Sequence, residues 1–479
     1  MLRRTKIVAT LGPASDTQEA LEALIRAGVD VVRMNFSHGK AEDHVARAGR
    51  VRAAAAACGR TVGILADLQG PKIRIGRFEH DKIHLNPGDT FILDAARKEL
   101  GNQECVGLDY KELPNDVSVG TVLLLNDGLL EFDVTAVKGS KITCKVVRGG
   151  ALSNNKGINR KGGGLTAPAL TDKDKEDIKT AALIKADYLA VSFPRSAADM
   201  HMARELMIAA GGKSLLMAKI ERAEAIPVLG EIIDASDAIM VARGDLSVEV
   251  GDAAVPGLQK RMIKMARARN KVVITATQMM ESMITAPIPT RAEVSDVANA
   301  VLDGTDAVML SAETAVGDYP VETIQAMVRI CLQAEKETEE NDIDKRVSQS
   351  KFTRIDQSIA MAALYAACHF KVKAIVSLTQ SGSTTLWMSR MNVSVPIFAL
   401  TPLESTLSKV TLFSGVHPIS FDIDSKFPSE VLRAAEDKLV NLGLVAEGDM
   451  IVMTIGEAIG TAGHTNTMKI VRVGDHRKS

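Results

Sequence analysis

The sequence has no marked excess of either charge. Lys and Arg number 58 against 59 Asp and Glu, which gives a formal net charge of −1 over 479 residues. A protein that binds a polyanion as its main role usually carries a broad basic field, and this sequence has none. We therefore expect no nucleic-acid partner.

Cysteine is scarce and irregularly placed. The five cysteines are odd in number, lie far apart and show no metal-ligand spacing; they are Cys58, Cys105, Cys144, Cys331 and Cys368. Such a set suits the reducing conditions of the cytosol.

Long apolar runs are missing as well. No window approaches the roughly 20 apolar residues that span a bilayer. The first apolar run, residues 7–11, is too short for the core of a signal peptide and stops at Gly12-Pro13. We predict a cytoplasmic protein with no membrane partner. Its hydrophobic content of 46% is enough for two or three domains with substantial cores.

What the sequence does contain is a repeated alternation of strand-like and helix-like stretches. Apolar runs alternate with amphipathic segments from residue 6 to 68 and again from 171 to about 320, giving about eight βα units. Eight such units close a TIM barrel, whose site lies at the carboxyl ends of the strands. Between them, residues 70–165 are rich in strands and turns, and after a charged linker at 337–345 a new αβ alternation begins.

This organisation predicts an α/β protein of three domains. Residues 1–69 and 166–341 form a (β/α)8 barrel, 70–165 an inserted β-barrel lid, and 342–479 a C-terminal three-layer α/β/α domain. The glycine run 161–164 suits a hinge for the lid, although a plain flexible loop is the simpler interpretation. Locally, Asp16 with Glu19 resembles a capping box, and residues 223–235 a helix.

The stretch 215–251 is the most informative part of the chain. Lys219 and Glu221 end one apolar run, and residues two apart on a strand point the same way. Asp245 follows the next run at the same end. Glu221 and Asp245 are the carboxylates that Mg²⁺ prefers, with Lys219 placed beside the metal to stabilise an oxygen that gains negative charge. The simpler alternative is a solvated ion pair and a turn cap.

Other strand ends are polar too. Polar side chains follow the second, third, seventh and eighth strands of the predicted barrel, and they are Arg33, Asn35, Ser37, Asp67, Thr277, Ser311 and Glu313. Because parallel strands bring their carboxyl ends to one rim, these residues are expected to lie together.

Six motifs, taken together, resemble the pyruvate kinase family over essentially the whole chain. They begin at Arg33 (RMNFSHG), Asp67 (DLQGPKIR), Met217 (MAKIE), Ala242 (ARGDL), Ala276 (ATQMMESM) and Ser311 (SAET). The resemblance implies a cytosolic glycolytic homotetramer that transfers a phosphoryl group from phosphoenolpyruvate to ADP, giving pyruvate and ATP. It also implies a barrel with a lid and a C-terminal regulatory domain.

The resemblance also implies roles for single residues. Glu221 and Asp245 would hold Mg²⁺, or Mn²⁺ in its place, while Gly244 and Thr277 contact the substrate carboxylate. Lys219 would stabilise the enolate and Arg33 the phosphoryl charge; a transfer of this kind needs positioning and cations. The remaining assignments are Arg74, Lys156 and His38 for the nucleotide, and Thr277, Ser311 and Glu313 for proton delivery.

Some of these residues have structural alternatives. His38 is equally suited to a structural hydrogen bond, Ser311 and Glu313 could merely cap the last barrel helix, and Lys156 could be an ordinary loop lysine.

The monovalent-cation motif departs from the family pattern. Asn35, Ser37 and Asp67 match the positions that bind K⁺ in K⁺-dependent members, which carry Asp-Thr-Lys-Gly-Pro-Glu. Here Leu68, Gln69 and Lys72 replace Thr, Lys and Glu. A fixed charge on Lys72 stands where the K⁺ would help, so we predict weak or absent K⁺ dependence. Smaller departures, Ser247 and Ala312 for the usual glycines, predict local adjustment only.

The segment from Thr379 to Thr384 resembles the family's effector loop. Its residues are Thr379, Gln380, Ser381, Gly382, Ser383 and Thr384, with Ser383 where an Arg is common. Hydroxyl and backbone N–H groups at a helix start suit a phosphate. A sugar monophosphate or AMP is the expected activator, with Gly460 to His464 closing over it; the alternative is an ordinary N-capped helix.

Two other functions share these features. A metal-dependent lyase or aldolase on the same barrel would keep the Mg²⁺ pair and Lys219 but would not need Arg74, Lys156 or a lid. A non-catalytic metabolite sensor would show damage at Lys219, Arg33 or Thr277, and all three are intact.

Overall fold

The computed structural model describes residues 2–337, 352–391, 393–423, 425, 427–457 and 463–475. The strands in this part of the chain, in order, are β1 Lys6–Thr10, β2 Val31–Asn35, β3 Gly63–Asp67, β4 Lys82–Leu85, β5 Thr90–Asp94, β6 Cys105–Gly107, β7 Val122–Leu125, β8 Leu130–Lys138, β9 Lys141–Arg148, β10 Gly150–Ser153, β11 Ile158–Arg160, β12 Tyr188–Val191, β13 Leu215–Ile220, β14 Ala238–Ala242, β15 Val272–Ala276, β16 Ala307–Leu310, β17 Ala374–Leu378, β18 Ile397–Thr401, β19 Val416–Ser420, β20 Met450–Ile455 and β21 Thr467–Arg472.

The helices of the same residues follow these strands. They are α1 Gln18–Ala27, α2 Ala41–Ala57, α3 Leu113–Asp116, α4 Asp172–Leu183, α5 Ala197–Ala209, α6 Leu229–Ala235, α7 Arg243–Val250, α8 Val255–Ala268, α9 Arg291–Leu302, α10 Ala312–Ala315, α11 Pro320–Lys336, α12 Ile355–His369, α13 Ser383–Ser389, α14 Glu404–Val410 and α15 Pro428–Asn441.

Eight parallel strands close into a barrel, as predicted. The order around it is β1-β16-β15-β14-β13-β12-β3-β2. Every residue of β1, β3, β14 and β15 is buried, because helices cover the outside and side chains fill the inside. The closed barrel brings all eight carboxyl ends to one rim.

The lid strands form two sheets between β3 and β12. One has six strands in the order β11-β7-β8-β9-β5-β6, and the other pairs β10 with β4. The turn at Asn126, Asp127 and Gly128 joins β7 to β8 with positive φ at all three residues. The domain limits drawn from the sequence remain predictions.

The C-terminal sheet has the order β19-β18-β17-β20-β21. Only β21 runs antiparallel to its neighbour, and it lies at the edge of the sheet. The C-terminal domain contacts the floor of the barrel, the rim of strand amino ends. There the buried Arg390 forms an ion pair with Asp306, which directly precedes β16, and donates a bond of 2.8 Å to the Lys271 carbonyl.

Two local predictions were wrong. Helix α1 is capped by Thr17, whose hydroxyl accepts from Ala20 N at 3.1 Å; Asp16 instead pairs with Arg47 at 2.7 Å. The helix predicted over 223–235 is interrupted: a 3-10 turn ends at Ala225 and α6 begins at Leu229, because Pro227 lacks the N–H that a continuous helix needs. Residues 338–345 of the predicted linker lie outside the described residues.

Candidate active site

Lys219 is the centre of a buried polar cluster at the carboxyl rim of the barrel. Its ammonium lies 2.9 Å from Glu221 Oε1 and 3.2 Å from Asp67 Oδ1, and it donates to Ser192 Oγ at 2.7 Å. Lys219 and Glu221 therefore share a face, as the period of the strand predicted. Both side chains are buried, so the alternative of a solvated ion pair is wrong.

Arg33 is held at the same rim by β1 and β3. Its Nε donates to Asp67 Oδ2 at 2.5 Å and its Nη1 to the Thr10 hydroxyl at 3.0 Å. Asp67 thus accepts from two cations, Arg33 and Lys219, and fixes the direction of both. The guanidinium keeps further N–H groups that can bind an anionic substrate.

Burial and charge act against each other in this cluster. Burial alone would raise the pKa of the Asp67 carboxyl, but Arg33 and Lys219 outweigh it and the pKa is lowered. Burial would lower the pKa of Lys219, yet Asp67 and Glu221 raise it. For Glu221, burial raises the pKa and the nearby Asp245 adds to this. The cluster keeps Lys219 cationic in a site with little water.

Asp245 lies in the first turn of α7 rather than at a strand end. Its Oδ1 accepts a bond of 2.8 Å from the Lys72 ammonium, which reaches across from the lid and also lies 3.9 Å from Asp127. This contact could not be expected from the sequence, since the two residues are 173 positions apart. The contact therefore places Lys72, whose charge was predicted to replace K⁺, beside Asp245, which was predicted to bind Mg²⁺.

Glu221 and Asp245 fit a divalent cation by the chemistry of their donors. Asp245 raises the pKa of Glu221, so the two carboxylates interact as a negative pair. Among the described residues, no cluster of three or more His, Cys, Asp or Glu is arranged to hold a metal. Two carboxylates are what Mg²⁺ typically takes from a protein that leaves the other positions to water and substrate.

Thr277 occupies a strained turn next to Gly244. Its φ is 68°, which is unfavourable for a β-branched residue, and Gln278 follows with φ 52°. The Thr277 hydroxyl accepts from Gly244 N at 2.8 Å and donates to the Ala276 carbonyl at 2.6 Å. Buried Arg243 donates to the Thr277 and Gln278 carbonyls at 2.7 and 3.2 Å and thereby holds the turn.

Ser311 and Glu313 lie at the end of β16. The buried Glu313 carboxylate accepts from Ser311 N at 2.6 Å and from Met280 N at 3.2 Å. Both of its oxygens are therefore engaged by the backbone, which agrees with the capping alternative for Glu313. Its bond to Ser311 N fixes the backbone that carries the Ser311 hydroxyl.

The residues of the predicted K⁺-like site make hydrogen bonds with other groups of the protein. Asn35 Oδ1 accepts from Ser37 N at 3.1 Å, and the Leu68 carbonyl accepts from Ser192 Oγ at 2.8 Å. The Asp67 carboxylate is already bound by Arg33 and Lys219.

Two residues of the cluster, Thr10 and Ser192, were missed by the sequence analysis. Thr10 ends β1 and Ser192 directly follows β12, so a search for polar residues at the ends of these two strands would have found them.

The nucleotide candidates lie on the lid and beside it. Arg74 pairs with Gly157 in an isolated bridge, and the Lys156 carbonyl accepts from Ile75 N at 2.9 Å, so Arg74 and Lys156 are close neighbours. Arg74 Nη1 donates to the Asn155 carbonyl at 3.0 Å. His38 is exposed after β2, and its N–H donates to the Asn35 carbonyl at 3.4 Å.

The predicted effector loop joins β17 to α13. Gly382 N donates to the Thr379 hydroxyl at 2.9 Å, and Ser381 Oγ lies 3.1 Å from Ser383 Oγ. Thr384 is buried, and its hydroxyl is 2.8 Å from that of Thr465. The closing segment predicted from Gly460 to His464 lies outside the described residues up to 462.

Comparison with known proteins gives a consistent result. A family model described as "Pyruvate kinase, barrel domain" matches residues 2–324, and one described as "Pyruvate kinase, alpha/beta domain" matches residues 357–471. The chain is 54% identical to "Pyruvate kinase II" of Salmonella typhimurium over 98% of this chain and 99% of that one. It is 54% identical to a pyruvate kinase of Haemophilus influenzae (95% and 96% covered) and 42% identical to one of Mycobacterium intracellulare (99% and 99%).

Proposed function

Because this chain belongs to the pyruvate kinase family and is a phosphotransferase acting on phosphoenolpyruvate and ADP, we propose that Lys219, Arg33, Glu221 and Asp245 carry its reaction. The observation that carries the proposal is the buried Lys219 ammonium, 2.9 Å from Glu221 and 3.2 Å from Asp67. A fixed cation in a low-dielectric site stabilises a developing oxyanion far better than one in water.

Glu221 and Asp245 would hold Mg²⁺, or Mn²⁺ in its place. Bound there, the divalent cation would withdraw negative charge from the phosphoryl and enolate oxygens. Lys72 accompanies Asp245 in the structure, so it would share that carboxylate with the metal or move aside.

Arg33 neutralises the phosphoryl group as it leaves phosphoenolpyruvate, and Lys219 stabilises the enolate oxygen that remains. The phosphorus–oxygen bond to the enolate breaks while one to the terminal phosphate of ADP forms. The enolate carbon then takes a proton through water from the Thr277 or Ser311 hydroxyl, with Glu313 positioning Ser311, and pyruvate results. Gly244 and Thr277 bind the carboxylate.

The lid supplies the nucleotide contacts. Arg74 and Lys156 lie side by side and bring two cations to the ADP phosphates, with His38 near the rim. A lyase or aldolase would have no use for this pair, which favours phosphoryl transfer. The monovalent-cation site at Asn35, Ser37, Asp67 and Leu68 is proposed to be dispensable, since Lys72 supplies a fixed charge at Asp245.

The C-terminal domain is proposed to bind a phosphorylated activator, a sugar monophosphate or AMP, at the loop of Thr379, Ser381, Gly382, Ser383 and Thr384. The interior bonds of the loop leave Ser381 and Ser383 half-buried and accessible, whereas Thr384 is engaged by Thr465.

The proposal also includes a cytoplasmic location and assembly into a homotetramer. Exposed Tyr365 and Phe370, on and just after α12, supply apolar surface for such an assembly. In the described residues no helix is long and apolar enough to cross a membrane.

The test is coupled pyruvate formation from phosphoenolpyruvate and ADP with Mg²⁺ and no K⁺. Lys219→Met should lower kcat by on the order of 1000-fold, as loss of a group that stabilises the transition state does. Lys213→Met, at an exposed lysine just before β13, should leave kcat unchanged. An equally active Lys219→Met enzyme would refute the assignment, and an inactive wild type in every salt would favour the lyase or the sensor.

A further inference from the structure

The chain returns from the lid sheet to the barrel through residues 158–165, which we call the return segment. It contains β11 and the three glycines Gly162, Gly163 and Gly164, all with positive φ. A Cβ at Gly163 would lie 2.6 Å from Glu224 Oε2, so the backbone passes very close to that carboxylate. The Gly164 N–H donates to the other oxygen of the same carboxylate. The return segment therefore packs directly against the turn that follows β13.

Glu249, on α7, makes three further contacts at this junction. Its backbone carbonyl accepts from Gly162 N at 3.0 Å, and its side-chain Oε1 accepts from Asn159 Nδ2 at 3.4 Å. Its Oε2 accepts from Ala223 N at 2.9 Å. The Glu249 side chain is buried. One buried carboxyl group thus contacts the return segment on one side and the barrel on the other.

These contacts lie close to the residues that are proposed to bind the substrates. The backbone N–H that Glu249 binds is two residues after Glu221, and Asp245 lies one turn earlier on the same helix α7. On the lid side, the partner of Glu249 in β11 is three residues after Lys156. A shift of the return segment would therefore move Lys156 relative to both proposed metal ligands.

The surroundings of Glu249 favour its neutral form. Burial raises the pKa of its carboxyl to about 7, and the charge of Glu224 adds to the effect. The bonds from Ala223 N and Asn159 and the charge of Arg222 act in the opposite direction but do not outweigh it. In the part of the chain that the structure describes, Glu224 Oε2 is itself buried without a hydrogen-bond partner. The junction has more acceptor oxygens than donors, and a proton on Glu249 corrects this.

We propose that Glu249 is a positioning residue for the reaction, which as a neutral carboxylic acid holds the return segment, and with it the nucleotide contacts of the lid, against the barrel. In that form Oε2 still accepts from Ala223 N, while the proton on Oε1 is donated to the amide oxygen of Asn159, with the amide turned over to receive it. The inference rests on the proposed role of Arg74 and Lys156 in binding ADP and makes that role depend on pH.

The direction of the pH effect follows from where the proton binds more tightly. A glutamate carboxyl in water has a pKa of about 4.3, well below that of Glu249 at the junction. Protonation therefore favours the arrangement in which the return segment packs on Glu249, and ionisation favours its release into water. The equilibrium constant for this packing should fall about tenfold between pH 6 and pH 8.

The KM for ADP, measured from pH 6 to 8, tests the proposal. In the wild type it should rise about tenfold, because the lid cations are in place only when the return segment packs on the barrel. The kcat at saturating ADP should change little, since bound ADP restores that arrangement. Glu249→Gln keeps the shape and the neutral charge of the acid, so its KM should stay low across the range.

Two more variants separate a proton-linked role from a merely structural one. Glu224→Gln removes a charge that raises the pKa of Glu249, so the rise in KM should begin at lower pH than in the wild type. Glu231→Gln, at an exposed glutamate of α6, should follow the wild type. Comparing the KM values of two enzymes at one pH cancels the titration of ADP itself. The melting temperature shows that each variant is folded.

Hydrogen–deuterium exchange of residues 158–165, corrected for the intrinsic effect of pH, gives a readout without substrate. Protection should fall from pH 6 to 8 in the wild type and stay constant in Glu249→Gln. Equal protection of the two proteins at pH 8, a ratio of their KM values that does not change with pH, or a KM raised at every pH in Glu249→Gln would each overturn the proposal. Exchange needs no turnover, so an enzyme inactive on phosphoenolpyruvate would refute the proposed function while this test still decided the role of Glu249.

Discussion

The Lys72 ammonium lies 2.8 Å from Asp245 Oδ1 and joins the lid to the helix that carries a predicted metal ligand. The contact joins the segment that follows β3 to α7, and both side chains are about three-quarters buried. A fixed cation is thus part of the site before any ligand arrives.

Lys72→Glu is expected to make the enzyme depend on K⁺. The change removes the fixed charge at Asp245 and restores the residue found in K⁺-dependent members of the family. Activity in tetramethylammonium buffer should fall on the order of 100-fold and recover on addition of KCl. Lys98→Glu, an exposed lid lysine, is the control. A wild-type enzyme that itself needs KCl would contradict the role given to Lys72.

Thr277 is expected to act through its hydroxyl. Thr277→Ser keeps the acceptor for Gly244 N and should retain most activity, while Thr277→Val leaves that N–H unpaired and removes the proton donor. A loss of kcat on the order of 100-fold is expected for the valine variant. Thr285→Val, at an exposed threonine, serves for comparison. If serine and valine variants were equally active, the proton would have another source.

The buried His417 side chain is expected to make the stability of the fold fall in acid. Burial lowers its pKa to about 3, with Lys6 nearby adding to the effect, whereas the unfolded chain has an ordinary histidine near about 6.5. The folded state therefore keeps His417 neutral while the unfolded state gains a proton. Stability is complete above the unfolded pKa and falls as the pH drops from about 6.5 toward 3, by up to about 1.4 kcal/mol per pH unit.

His417→Phe should flatten this loss. The melting temperature of the variant, followed from pH 7 to 5, is expected to fall less than that of the wild type. His80→Phe, at an exposed histidine, should keep the wild-type slope. Parallel curves for His417→Phe and the wild type would mean that other groups govern acid unfolding.

The buried Arg390–Asp306 pair should stabilise the contact between the C-terminal domain and the barrel. Arg390→Met leaves the fully buried Asp306 carboxylate without its cation, at a cost of about 3–5 kcal/mol. Combining it with Asp306→Asn should recover part of the loss. Lys179→Met, which breaks an exposed pair with Glu176, should change the unfolding free energy by less than about 1 kcal/mol. If the losses of unfolding free energy caused by the two single substitutions simply added in the double variant, Arg390 and Asp306 would not be coupled.

Much of this architecture could be predicted because it depends on local pattern. The period of buried strands and amphipathic helices is enough to count eight βα units, and alternation along β13 places Lys219 beside Glu221. Chain order alone then brings Arg33, Asp67 and Thr277 to one rim.

Other features depend on contacts that no local pattern encodes. The pairing of Lys72 with Asp245 joins residues 173 positions apart, and Arg243, from a neighbouring strand end, holds the left-handed turn at Thr277. The N-cap of α1 is Thr17, one residue after the predicted Asp16, because the Asp16 carboxylate is engaged in an ion pair with Arg47.

Strands β15 and β16 have their amino ends at the floor and their carboxyl ends at the rim. Asp306 bonds to Val273 N at 2.9 Å and to Arg390, so it ties the start of both strands to the C-terminal domain. A strand of five residues is about 17 Å long, and its hydrogen bonds to both neighbours resist bending or slipping. The hydrogen bonds of Asp306 therefore connect the C-terminal domain, through β15 and β16, with Thr277 and Ser311 at the rim.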